Sequence, residues 1–137
     1  VVFRDEDHPQ SLFGIPLFDL GYDLYRSQHW RRIRDIESLI YHFDTPASRA
    51  SGLPTRIEFP GTYAGTQRWD VMLAQHHAAT LPIGQFRLLN GRPVIHINTW
   101  NHLFGESSNN PNLPQVTLST YPRQTGSRQH VETLYRR

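Results

Sequence analysis

The sequence predicts one α+β domain spanning 1–137: a mostly antiparallel sheet, including a hairpin over 85–98, covered by two helices at about 27–43 and 66–80. Three observations predict it. Asn90-Gly91 separates two runs of alternating residues. Asn-Gly favours the type I′ turn of a two-residue hairpin, because both central positions need positive φ. Apolar residues then recur at helical spacing in two separate stretches, 27–43 and 66–80. At 137 residues, with 37% hydrophobic and 12% aromatic content, the chain is long and apolar enough to bury a core. No internal repeat and no shift in composition divides it.

Taken in order, residues 1–3 read as a short strand and Asp5-Glu6-Asp7 as an acidic loop. The segment 11–25 is rich in large apolar residues, among them Phe13, Phe18 and Leu20. Gly14, Pro16 and Gly21 break its period, so it reads as an irregular cover on the core. In the first helix Ser27 is the cap, and Trp30, Ile33, Ile36, Leu39, Ile40 and Phe43 share one half of the wheel. Arg31, Asp35, Ser38 and His42 take the other half, and Asp44-Thr45-Pro46 ends the helix. A small-residue loop is expected over 47–54. A strand follows over 55–59, with Ile57 and Phe59 facing inward, and Pro60-Gly61 turns the chain.

The second helix is capped by Thr66 and stops before Pro82. Its apolar face holds Trp69, Met72, Leu73, His76 and Ala79, which makes His76 a core histidine bonded through its ring nitrogens. In the hairpin, Phe86 should oppose Ile95 and Leu88 should oppose Pro93. Phe86, Leu88, Ile95 and Ile97 then form an apolar face. The other face carries Val94, His96 and Asn98, running on to Trp100 and His102. A polar loop is expected over 104–114 and a strand over 115–121. The stretch 129–135 reads as a last strand, with a short terminal helix as the competing reading.

Composition excludes several chemistries. There is no cysteine, hence no disulfide, thiolate nucleophile or thiolate metal site. All 14 basic residues are arginine, so Schiff-base catalysis and a phosphate-loop lysine are excluded. Codon bias or selection against amines accounts for the missing lysines. A net charge of +2 is too small to argue for nucleic acid by itself. No apolar run nears the roughly 20 residues of a membrane span. A cytoplasmic location is the expectation, although a chain that begins with Val leaves a removed targeting segment open.

The candidate site is the polar face of the hairpin. His96 and His102 are the acid–base candidates and Asn98 a neutral oxyanion donor. Trp100 offers a stacking wall, Arg87 and Arg92 anion contacts, and Glu106 a further polar group. No HExxH, nucleophile elbow or Gly-rich phosphate loop is present, so neither a metal nor a cofactor is expected. Three functions remain. A non-enzymatic binding or assembly module, acting by protein–protein contact or as a homo-oligomer through its sheet edge or residues 13–24, is favoured because no catalytic spacing rises above background. A small metal-independent hydrolase or nuclease would use His96 and His102. An RNA-binding domain would use Arg31-Arg32-Arg34, Arg123, Arg128 and Arg136-Arg137.

Overall fold

The computed structural model describes residues 2–3, 24–25, 27–29, 35–69, 71, 73–109, 125–127, 129–130 and 133. The chain is α+β with a mostly antiparallel sheet, as the sequence predicts. The expected strand over 115–121, most of the apolar segment 11–25 and all the arginines of the three clusters lie outside the described residues.

In chain order the strands are β1 (Val2–Phe3), β2 (Asp35–Ile36), β3 (Ile40–His42), β4 (Arg56–Tyr63), β5 (His77–Pro82), β6 (Leu88–Leu89), β7 (Arg92–Pro93), β8 (His96–Ile97) and β9 (Phe104–Gly105). The helix α1 (Pro46–Ser51) joins β3 to β4. Residues 24–25, 27–29, 129–130 and 133 are also helical, which favours the terminal helix over the terminal strand.

Strand β4 is the centre of the five-stranded sheet. It pairs antiparallel with β3 and with β5, and its last residue, Tyr63, also pairs in parallel with Phe104 of β9. Alternation along β4 buries Ile57 and Phe59 completely, as expected from the sequence. Phe86 and Phe104 complete the core, with Leu39, Tyr63, Ala79, Leu81, Ile83 and Ile95 packed around it. The chain does not turn at Pro60-Gly61. It bulges there instead, with Gly61 at φ 88°, and the register shifts between Phe59 and Tyr63. Proline has no N–H to give the ladder and glycine accepts positive φ, so this pair suits a bulge as well as a turn.

Both helix ranges are displaced. Among the described residues of 27–43, 27–29 are helical, and β2 and β3 occupy 35–36 and 40–42. Ile40 and Phe43 are exposed, so the predicted helical stripe does not run on to its expected end. β-branched and aromatic residues fit a pleated surface, and pairing with β4 decides between two weak local preferences. In 66–80 the first part is irregular and the last part is β5. Leu73, assigned to the apolar face, is 77% exposed. A helix forms instead over Pro46–Ser51, where the small residues predict a loop. Thr45 accepts from the Ser48 N–H at 3.1 Å, Ser48 Oγ accepts from the Thr45 N–H at 3.2 Å, and Pro46 stands in the first turn. Gly52, left-handed at φ 69°, closes it.

Beside this helix, Asp44 accepts from Thr55 Oγ1 at 2.6 Å and from Arg56 Nε and Nη2 at 3.0 and 3.3 Å. The Arg56 bond, then the Thr55 bond, holds the Asp44 carboxyl below the ordinary carboxylate range. The folded state therefore binds its proton less readily than the unfolded chain. The stabilisation is present above the unfolded pKa and is lost as pH falls through the folded one. By NMR, the Asp44 carboxyl should titrate below the ordinary value of about 3.9. Arg56→Ala should move that midpoint up.

Candidate functional site

The hairpin turn forms as predicted. Asn90 and Gly91 lie at φ 51° and 72°, and Leu88 pairs Pro93. The Val94 N–H donates to the Arg87 carbonyl at 2.8 Å, one step further along the same ladder. The pairing does not continue to 85–98. Ile83–Gln85 forms a 3-10 turn, and β8 leaves its hairpin partner to pair with β9, setting His96 opposite Gly105. Leu88 and Ile97 are consequently exposed, while Phe86 is buried.

Beyond Ile97 the chain turns back on itself, and this decides where the candidate residues go. The His102 N–H donates to the Thr99 carbonyl at 2.9 Å, the Leu103 N–H donates to Thr99 Oγ1 at 3.0 Å, and the Asn98 N–H donates to the Leu103 carbonyl at 2.9 Å. His102 sits at φ 63°, in the left-handed region that such a turn requires. A single strand carrying His96, Asn98, Trp100 and His102 on one face is therefore not formed.

Three of these residues are buried. Asn98 is 1% exposed; its Nδ2 donates to the Ser107 carbonyl at 2.8 Å and its Oδ1 accepts from the Asn109 N–H at 3.2 Å. The side chain thus stands in for a peptide group of a neighbouring strand. Trp100 donates from Nε1 to the Val71 carbonyl at 2.9 Å. His102 is 3% exposed. The rest of the 98–109 segment is braced against 61–76. His76 Nδ1 donates to the Gly61 carbonyl at 2.9 Å, and Nε2 faces Asn101 Nδ2 at 3.4 Å. Both ring nitrogens are used, as expected, but His76 is exposed rather than in the core. Gln67 repeats the amide device: Oε1 accepts from the Gln75 N–H at 2.5 Å and Nε2 donates to the Gln75 carbonyl at 2.6 Å. Asn109 Nδ2 closes the brace onto the Gly65 and Gln67 carbonyls.

Arg87 and Glu106 each lie near enough to His96 to act on its charge. Arg87 and Val94 face each other across the hairpin, and His96 lies two residues on, in the strand that pairs with β9. Burial, and next the Arg87 charge, push the His96 imidazole below its ordinary pKa, while Glu106 pulls the other way. Glu106 accepts from the Tyr63 hydroxyl at 2.9 Å. Burial and that carboxylate raise the phenol's pKa. Arg92, across from Leu89, is exposed. In an NMR titration the His96 ring should turn over below the ordinary value of about 6.5; Arg87→Ala should raise the midpoint and Glu106→Gln lower it. The neutral ring is favoured by the fold, so its stabilisation is present above the unfolded pKa and lost as pH falls through the folded one.

A feature that the sequence reading missed lies on β5. The Ile83 N–H donates to the Thr55 carbonyl at 2.9 Å, which fixes the phase of the β4–β5 ladder. Residues 83, 81 and 79 direct their backbone groups at β4; the N–H and C=O of Ala78 and Thr80, and the C=O of Pro82, point outward. Pro82, which has no N–H, occupies one of these outward positions without loss. Ala78, Thr80 and Pro82 are exposed, and among the described residues no backbone bond reaches the outer side of β5. β-branched Thr80, followed by Leu81 and the proline, was the available signal.

Among the described residues no group of three or more His, Asp or Glu side chains is placed to hold a metal ion. Nor is any helix there long and apolar enough to cross a membrane. The chain matches no protein-family model, no curated protein and no solved structure.

Proposed function

We propose that the chain is a non-enzymatic binding module that acts by protein–protein contact, with the outer edge of β5 as its contact surface. One observation carries this: an exposed edge strand whose outward N–H and C=O groups at Ala78 and Thr80 lack partners among the described residues. Edge strands are ordinarily blunted by charged side chains or bulges. β5 has no Asp, Glu or Arg, and only Pro82 at its end restricts pairing. Such an edge takes an added strand, whose main-chain bonds supply affinity. Amide hydrogen exchange tests the reading. A polypeptide that binds here should slow exchange at Ala78 and Thr80. If extended polypeptides, the 75–82 segment itself among them, leave both amides unprotected, the proposal fails.

The Arg87 charge acting on a half-buried His96 supports a second reading, acid–base chemistry on an anionic substrate. His96 would be the neutral base and Arg87 the anion contact. Phosphodiester turnover that His96→Ala abolishes would favour it over the first.

A further inference from the structure

Resting on the protein-contact reading above, we infer that the strand added at β5 is β5 of a second copy of this chain, antiparallel to the first about a two-fold axis at Ala79. Backbone geometry leads to this register. With the axis at Ala79, Ala78 of one copy lies opposite Thr80 of the other, and every outward N–H of these two residues meets an outward C=O. Moving the axis to Thr80 would set Ala78 opposite Pro82, which has no donor to return and whose ring would face the partner strand. The Ala79 register leaves both proline rings at the ends of the paired segment.

Side chains fit the same arrangement. The cross-strand pairs are Ala78 with Thr80, Ala79 with Ala79 and His77 with Leu81, so no like charges meet. A net charge of +2 per chain offers little long-range repulsion between copies. Ala79 and Leu81, which face the core but stay half-buried at the edge, would gain cover from the continued sheet. Two copies of one strand also form a closed, isologous contact that uses up both edges, so the assembly stops at a dimer.

The test is sedimentation velocity over a concentration series on the wild-type chain and two charge variants. The wild type should be dimeric. Ala78→Lys with Thr80→Lys sets like charges directly opposite in both cross-strand pairs and should weaken association about thirtyfold. Ala78→Glu with Thr80→Glu should do the same, and an equimolar mixture of the two variants should recover the dimer. That recovery also shows that both variants fold. The chain has no cysteine, so Ala79→Cys introduces one thiol per copy. At a non-hydrogen-bonded antiparallel pair the Cα atoms lie about 4.5 Å apart, within disulfide reach. Oxidation of Ala79→Cys should therefore trap a covalent dimer. A wild type that stays monomeric overturns the inference. So does a dimer that survives both charge variants, or one that Ala79→Cys does not trap. If the wild type is monomeric but another polypeptide protects the Ala78 and Thr80 amides, only the second copy is wrong. If nothing protects them, the contact reading falls too.

Discussion

Phe59→Ala should cost about 4 kcal/mol of stability, the usual scale for emptying a buried aromatic site. Phe59 is fully buried, and three rings surround it: Tyr63, Phe86 and Phe104, with centroids at 5.6, 6.3 and 6.4 Å. The four rings come from β4, from the segment leading into the hairpin, and from β9. Removing the central ring takes contacts from all three at once, and pairs in this distance range add about 0.5–1.5 kcal/mol each beyond burial. Collapse of the neighbours cannot fill the space, because the ladder holds the backbone on either side of Phe59. Since small domains are stable by only about 5–15 kcal/mol, the variant should be close to unfolding at physiological temperature. Urea denaturation measures the effect. Ile40→Ala, at an exposed position on β3, is the control and should change stability by less than about 1 kcal/mol. A cost below about 2 kcal/mol for Phe59→Ala would contradict this core.

The same ring explains which parts of the fold were legible. Ile57 and Phe59 alternate with Arg56 and Glu58, and a period of two that meets a core leaves one solution. Asn90-Gly91 is equally local, since the turn's dihedral angles select the residues. Where the reading failed, the deciding partner was distant. Residues 40–42 and 77–82 carry apolar spacing that suits a helix, yet each lies in register against β4. Ladder bonds and burial against a central strand outweigh a propensity difference of a few tenths of a kcal/mol per residue. The helix over 46–51 was hidden for a different reason: Thr45-Pro46 serves as well at a helix start as at a helix end.

The candidate site was legible as a list of residues but not as an arrangement. Alternation placed His96, Asn98, Trp100 and His102 on one face, which holds only while the strand stays extended. Thr99 to His102 is a turn, stabilised by the Thr99 hydroxyl and by a left-handed histidine, and no local signal as strong as Asn-Gly marks it. The open edge of β5 was unreadable for a related reason. An edge is a property of pairing, and pairing is not written in any one segment.

Asn98→Ala should cost about 2 kcal/mol, because it removes two part-buried hydrogen bonds to main-chain groups of the 107–109 segment. Asn98 Nδ2 serves the Ser107 carbonyl and Oδ1 serves the Asn109 N–H, both from a residue that is 1% exposed. Asn98→Asp should be no better, since it turns the donor that faces the Ser107 carbonyl into an acceptor and buries a charge. Gly105 supplies the matching half of the prediction. A Cβ built on Gly105 falls well inside van der Waals contact with Asn98 Nδ2, an atom held in place by its own hydrogen bond. Gly105→Ala alone should therefore cost about 2 kcal/mol, through displacement of the amide. In the Asn98→Ala background the obstructing amide is gone, and most of that cost should vanish. The double-mutant cycle should show a coupling of about 1–2 kcal/mol, where independent sites would simply add. Additive effects would mean that Asn98 is not seated against Gly105.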